Sequence, residues 1–250
     1  MKCALCREDK SLKRSHTIPE FLYKPIYEED PKRYFGVSSD PSERIDHRQQ
    51  GIWDRLLCGD CEKHLSRWED YASTLHYQKA QVQEISIGLR VLNVDYEKFK
   101  LFLLSLLWRA GATSRKEFSE VSLGPHEEKL RKMLLKSEPG PPEKYGCMPV
   151  LCPKYKDLLQ KMIISPDTVN VRAHHVVRFL FGGIFWNFFV SSHTPSIASE
   201  GIFLTKDGEL TILAESEFTS DYIEKLYNRW KESGNLDDVI DKFGDDDKAA

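Results

Sequence analysis

Apolar positions follow two regimes along this 250-residue chain: they are scattered and short-run near the start, and periodic further on. From residue 61 to about 77, Leu65, Trp68, Tyr71, Ala72 and Leu75 recur at three and four positions, which predicts an amphipathic helix. Residues 97–110 are apolar almost all round (Phe99, Leu101, Phe102, Leu103, Leu104, Leu106, Leu107, Trp108), the pattern of a helix buried on several sides. Residues 125–136 read as another helix, with proline near the start and Leu130, Met133 and Leu134 on one face. Pro139, Gly140, Pro141 and Pro142 then mark 137–145 as a surface loop. Beyond it the period shortens to that of strands: 161–165, 169–171, and a longer pair, 176–181 and 184–191, joined by a Gly182-Gly183 hairpin turn. Segments 202–205 and 209–213 flank Lys206-Asp207-Gly208 as a second hairpin. Tyr222, Ile223, Leu226, Tyr227 and Trp230 return to helical spacing over 221–230, with Thr219 or Ser220 as the cap. The stretch 31–51, centred on Ser38-Ser39-Asp40-Pro41-Ser42, reads as a long polar loop, and no internal repeat is present. The fold class is α+β.

Composition sharpens the picture in three places. With 40% apolar and 11% aromatic residues the chain can fill one large core, or a small module joined to a medium one, which excludes wholesale disorder. Thirty-six Lys and Arg against 39 Asp and Glu give a formal charge of -3, so no global basic field advertises a nucleic-acid binder. Residues 234–250, however, carry Asp237, Asp238, Asp241, Asp245, Asp246 and Asp247 against Lys242 and Lys248, leaving the preceding body near neutral. This acidic tail is expected to be disordered, and Asp245-Asp246-Asp247-Lys248 resembles part of a protease-cleavage tag. No apolar run reaches the length of a membrane span and the N-terminus lacks a secretory pattern, so a soluble protein in the reducing cytoplasm is expected. Three regions follow: 1–80, poor in core and rich in cysteine and histidine; 81–233, the main core; and the tail, 234–250.

In a reducing compartment paired cysteine spacings point to metal rather than to disulfides. Cys3-x2-Cys6 and, after 51 intervening residues, Cys58-x2-Cys61 are two knuckles of the kind that place four thiolates around a structural zinc. The alternative is a set of reduced surface or core thiols. A closed four-thiolate site has no open coordination position, so it would fold its segment without doing chemistry. Cys147 and Cys152, with His174 and His175 further on, lack knuckle spacing and read as core or surface thiols.

Between the knuckles lies Ser15-His16-Thr17-Ile18-Pro19, a histidine in a short extended run stopped by proline. A knuckle, a β-type histidine followed by an apolar residue and proline, a loop, and a second knuckle opening a helix resembles the HNH, or His-Me finger, endonucleases over about residues 1–75. The resemblance implies a zinc-stabilised, treble-clef-like ββα finger followed by a mixed helix and antiparallel-strand domain. It implies that His16 is the general base that draws a proton from water, and that Mg2+ or Mn2+ stabilises the charge developing on the phosphodiester. Glu62 stands where the family has a histidine after the second knuckle and is the candidate ligand for that cation; Asp46, His47, Asp54 and His64 are lesser candidates. Ser15 precedes the base where the family often has an acidic residue or histidine. The family's middle asparagine has no counterpart in the finger, the first asparagine being Asn93, and Gln49, Gln50 or Asp54 could substitute.

The implied function is hydrolysis of phosphodiester bonds in nucleic acid, DNA favoured over RNA, of the sort that serves defence against foreign DNA such as phage. The alternative from another class is a non-catalytic zinc-finger adaptor that binds nucleic acid or protein. Lys10, Lys13, Arg14, Lys24, Lys32 and Arg33 flank His16 as phosphate-binding candidates or as an ordinary solvated surface, interrupted by Glu28-Glu29-Asp30. Phe21, Tyr23 and Tyr27 could stack on bases or complete the module's core. The cluster Phe179, Phe181, Phe185, Trp186, Phe188 and Phe189 makes both faces of its hairpin apolar, so one face could meet a protein partner or a second copy through the 81–233 region.

Overall fold

The computed structural model describes residues 1–27, 34–37, 46–77, 80–171, 173–195, 201–214 and 217–234. The first half of the chain forms β1 (Ser15–His16), β2 (Tyr34–Val37), β3 (Asp46–Arg48), β4 (Trp53–Asp54), α1 (Gly59–Tyr77), the hairpin β5 (Gln81–Ile85) and β6 (Gly88–Leu92), α2 (Tyr96–Ala112) and α3 (Pro125–Lys136). The second half adds β7 (Cys147–Leu151), the single turn α4 (Lys156–Leu159), β8 (Ile163–Val171), β9 (His174–Phe181), β10 (Ile184–Val190), β11 (Leu210–Ala214) and α5 (Glu217–Glu232). Among the described residues nine strands join one sheet in the order β3-β2-β8-β9-β10-β7-β11-β6-β5, antiparallel except where β2 meets β8 and β7 meets β11. β1 and β4 make a separate antiparallel pair, Ser15 opposite Asp54 and His16 opposite Trp53. The class is therefore mixed α+β with a mainly antiparallel sheet, as the periodicities predict. No helix among the described residues is long and apolar enough to cross a membrane.

The register of the central hairpin explains its two apolar faces. Gly182 and Gly183, at φ 61° and 72°, supply the consecutive left-handed residues of a tight turn that suits the strand twist. Because side chains alternate, Val177, Phe179 and Phe181 with Trp186, Phe188 and Val190 pack into a cluster that includes α1, α2 and α3. Val176, Leu180, Phe185 and Phe189 pack on the opposite side with Ile202, Phe203, Ile223 and Leu226. Both faces are thus covered by the chain's own elements. The aromatic residues Phe21 and Tyr23 are likewise buried in the first cluster, with Tyr27 against it, so they complete a core rather than offer stacking surfaces.

Four expectations change. The stretch read as a polar loop contains β2 and β3, which extend the large sheet by pairing Gly36 and Val37 with Ile163 and Ile164. The two runs at 161–165 and 169–171 form one strand, β8, whose irregularity between Ile164 and Asp167 breaks the apolar alternation. Residues 202–205 are not a strand: the Thr205 amide donates to Glu209 O at 2.9 Å across a tight turn with Gly208 at φ 81°, but β11 pairs with β6 and β7. α5 starts at Glu217, before both proposed cap residues. Lys32, Arg33, Glu28-Glu29-Asp30, residues 38–45 and the tail from 235 to 250 lie outside the described residues, as do the side chains of Asp46 and His47.

α2 is the axis of the larger core. The Asp95 carboxylate caps it by accepting from the Lys98 amide at 3.1 Å, and Leu104, Leu106 and Leu107 are fully buried along it. Replacing Leu107 by alanine leaves a cavity in the larger apolar cluster. Leu107→Ala is expected to lower unfolding free energy by about 3 kcal/mol, read from denaturant midpoints; a loss near zero would mean that α2 is not the packing axis.

Candidate functional site

The two cysteine pairs converge by local geometry. In the first, Arg7 adopts φ 65° and its amide returns to Cys3 O at 2.9 Å, which bends the chain around Cys3 and Cys6. In the second, Cys58 directly precedes α1 and Cys61 lies in its first turn, with the Glu62 amide donating to Cys58 O at 2.9 Å. A bridge between Leu12 and Cys58, and the Ala4 amide on Leu56 O at 3.0 Å, bring the pairs together. The four Sγ atoms all lie within 4.8 Å of one another, and Cys6 and Cys58 Sγ are 3.9 Å apart. A zinc tetrahedron with Zn–S near 2.3 Å has edges of about 3.8 Å, which the Cys6–Cys58 pair matches and the other pairs approach to within about 1 Å. Burial opposes ionisation of Cys3, but hydrogen bonds from the Cys58, Cys6 and Leu5 amides outweigh it and bring its thiol down to about 7. Burial and neighbouring thiols instead raise Cys61, the mutual repulsion that a cation relieves. The four cysteines are free thiols that could hold a metal ion such as zinc. Cys147 and Cys152, also free and buried, lie in and beside β7, outside this cluster.

His16 stands on β1 at the lip of an open cleft of about 680 Å³ that Arg14, Glu20, Gln49 and Gln50 complete. Alternation on the short strand buries Ser15 and Thr17 and turns His16 outward. Pro19 stops the strand and starts a single 3-10 turn, Glu20–Leu22, which folds Glu20 back beneath the histidine. Glu20 Oε2 lies 3.3 Å from His16 Nε2, and Glu20 Oε1 accepts from the Tyr27 hydroxyl at 2.7 Å. No described residue pairs with His16 Nδ1. Burial draws the imidazole below its ordinary value, more than the Glu20 and Glu69 carboxylates raise it; Arg109 and Arg14 add to the fall. The ring is therefore neutral at pH 7. Arg14 stacks over Trp53, 3.8 Å from the ring centre, which holds a guanidinium beside the cleft.

Glu62 takes a different position. One helical position past Cys61, its carboxyl faces Ser15 and Arg109 rather than the cleft lining; Oε1 is buried without a hydrogen-bond partner. Burial raises its pKa against the pull of the Ser15 hydroxyl and Arg109. Ser15 is committed to packing, its Oγ accepting from the Leu57 amide at 3.2 Å. Arg109, from the last turn of α2, donates to His16 O at 2.7 Å and to the Glu69 carboxylate of α1. Among the described residues the four-cysteine cluster is the only group of three or more His, Cys, Asp or Glu donors close enough to hold a metal.

The lesser candidates do other work. Asp54 accepts from Thr113 Oγ1 at 2.8 Å and from the Ser114 amide at 3.2 Å, so it ties β4 to the end of α2. His64 Nε2 lies 2.8 Å from Leu134 O and joins α1 to α3. Lys10 pairs with Glu8 and Asp60 on the surface. Gln49 and Gln50, candidates in the sequence to replace the asparagine that the resemblance implies, line the cleft, whereas Glu20, Glu69 and Arg109 were not anticipated. The signal for Glu20 was present, since a proline-started turn places it four residues after His16; the other two depend on long-range packing. Compared with known protein families, curated proteins and solved structures, the chain matches none.

Two measurements follow from this geometry. Elemental analysis of purified protein should find about one zinc per chain, and Cys61→Ser or chelation should lower the melting temperature; an unchanged melting temperature after complete metal removal would refute the cluster's role. In an NMR titration the His16 midpoint should lie below the free-imidazole value of about 6.5. Glu20→Gln removes a charge that favours imidazolium, so the midpoint should fall further; a rise would contradict the pairing.

Proposed function

We propose that the chain is a metal-dependent, HNH-like endonuclease that hydrolyses phosphodiester bonds in nucleic acid, with its cysteine cluster holding a structural zinc. The observation that carries this reading is the order of parts around His16. A neutral, outward-facing histidine sits on a two-stranded β1/β4 pair, and the helix that follows begins on the second cysteine pair. This order supports a treble-clef-like ββα finger, with DNA the favoured substrate.

In this mechanism the charge of Glu20, rather than a hydrogen bond, biases the tautomer. Its carboxylate, 3.3 Å from Nε2, favours a proton on that nitrogen and leaves Nδ1 as the acceptor. Nδ1 takes a proton from water, the resulting hydroxide attacks phosphorus, and the bond to the leaving oxygen breaks, that oxygen being reprotonated from solvent. Arg14, steadied on Trp53, would hold a phosphate oxygen, and the Gln49 and Gln50 amides offer neutral hydrogen-bonding groups along the strand.

A divalent cation fits the cleft's donor set in a limited way. Glu20 offers carboxylate oxygen, and Gln49 and Gln50 offer carbonyl oxygens. Mg2+ commonly takes one or two carboxylates and completes its shell with water and substrate phosphate. Glu62, behind Ser15, is a weaker candidate ligand because burial favours its protonated form. When bound, Mg2+ or Mn2+ would stabilise charge on the phosphate and leaving oxygen.

One observation favours the competing reading, a non-catalytic zinc-finger adaptor: no second cluster of three metal donors stands ready among the described residues. Supercoiled plasmid and structured RNA, incubated with Mg2+, Mn2+ or chelator, separate the two. The nuclease predicts metal-dependent nicking that His16→Ala reduces by about 100-fold or more. Binding without cleavage by folded, zinc-loaded protein would sink the nuclease in favour of the adaptor.

A further inference from the structure

A second cleft, of about 370 Å³, shares no residue with the His16 cleft. α3 contributes His126 and Lys129; the loop before β7 contributes Glu143, Lys144 and Tyr145. The segment after β10 adds the hydroxyls of Ser191, Ser192 and Thr194.

The floor of this cleft is built rather than incidental. Tyr145 is buried at 2% exposure yet adopts φ 51°, a left-handed conformation unfavourable for an aromatic residue. It is held there from below: the fully enclosed Lys100 of α2 donates to Tyr145 O at 3.0 Å and to Pro142 O at 3.1 Å. The Tyr145 hydroxyl in turn lies 3.0 Å from His126 Nδ1. With that hydroxyl donating, the imidazole keeps its proton on Nε2 and presents an N–H donor on the lining. Burial foremost, and Lys129 and His175 after it, draw His126 below its ordinary value. Lys129 and Lys144 have no ion-pair partner among the described residues. Ser191 Oγ accepts from the His193 amide at 3.1 Å, so its own proton is available to a ligand.

We propose that this cleft binds the phosphate of a small phosphomonoester. Two unpaired ammonium groups match a dianion, while the imidazole N–H and three hydroxyls match its oxygens. Among the described residues Glu143 is the one carboxylate on the lining, and it opposes the ligand. The volume lies within the range of small-molecule sites. The phosphate could belong to a free nucleotide or to the 5′ end of a nucleic acid, since the terminal group is the same.

Isothermal titration of the full chain with inorganic phosphate, adenosine 5′-monophosphate, and a short oligonucleotide with or without a 5′-phosphate tests the inference. Saturable binding of phosphate and the monophosphate is expected. The double variant Lys129→Ala/Lys144→Ala should weaken it by about tenfold or more. Glu143→Gln should tighten it, a gain that misfolding cannot produce. A 5′-phosphate that strengthens oligonucleotide binding would assign the phosphate to a nucleic-acid end; a preference for the free monophosphate would assign it to a metabolite. Absence of saturable phosphate binding, or binding unchanged in both variants, overturns the proposal.

Discussion

A single buried guanidinium fixes how the parts of this protein meet. Arg109 is 2% exposed at the end of α2, and a charge so enclosed is tolerated only when its N–H groups find partners. Its two terminal nitrogens find them on two other elements, the Glu69 carboxylate of α1 and the carbonyl of His16 on β1, while Nε is buried without a hydrogen-bond partner among the described residues. Moving any of the three elements would strand either the charge or a buried carbonyl. Asp54 closes the same joint from β4 by accepting hydrogen bonds from Thr113 and Ser114, just past the end of α2. The strand carrying His16 is thus positioned by the core helix of the larger cluster as well as by the cysteines behind it.

This joint divides the labour of stability. The first 60 residues supply short strands and single turns, which could not hold one arrangement alone. The cysteine cluster gathers the chain ends of that segment, Cys3 and Cys6 against Cys58 and Cys61, while Leu5, Ile18, Tyr23 and Leu57 extend the same apolar cluster that contains α2. α3 grips the first knuckle from outside through Arg131, which donates to Leu5 O and pairs with Glu128. The β2–β3 hairpin, emerging from the same segment, joins the edge of the large sheet through β8. A cysteine-rich segment and a helical core that look separable in sequence are interlocked in space.

What was legible follows from how local each signal is. α3 runs over 125–136 as its proline and apolar stripe predict, and the Gly182-Gly183 turn joins the two strands that it punctuates. Cysteine spacing anticipated the cluster, because each knuckle is a local bend and only the meeting of the two is long-range. β2 was hidden because its partner β8 lies more than 100 residues away, and β3 because its three residues, Asp46-His47-Arg48, are polar and pair only with β2. The β5–β6 hairpin was missed for a related reason, since Gln81, Val82, Gln83 and Glu84 are all exposed and show no buried alternation. Glu62 was placed by its position after a knuckle, but helical phase turns it towards Ser15 and Arg109. Glu20, unremarked in the sequence, stands beside the histidine because Pro19 converts the strand into a turn.

The two clefts show how similar histidine shifts arise from opposite surroundings. His16 and His126 are both drawn below the ordinary value by burial, and both rings bear a hydrogen-bonding or ion-pair contact on one nitrogen. The difference is the sign of the nearest charge. Glu20 faces His16, so protonation during a reaction would create an imidazolium already matched by a carboxylate, which suits a base. Beside His126 the nearest fixed charge is Lys129, so protonation there is opposed by burial and by that ammonium, which suits recognition of an anion rather than proton transfer. The direction of a pKa shift alone does not assign a role; the charge that the imidazolium would meet does.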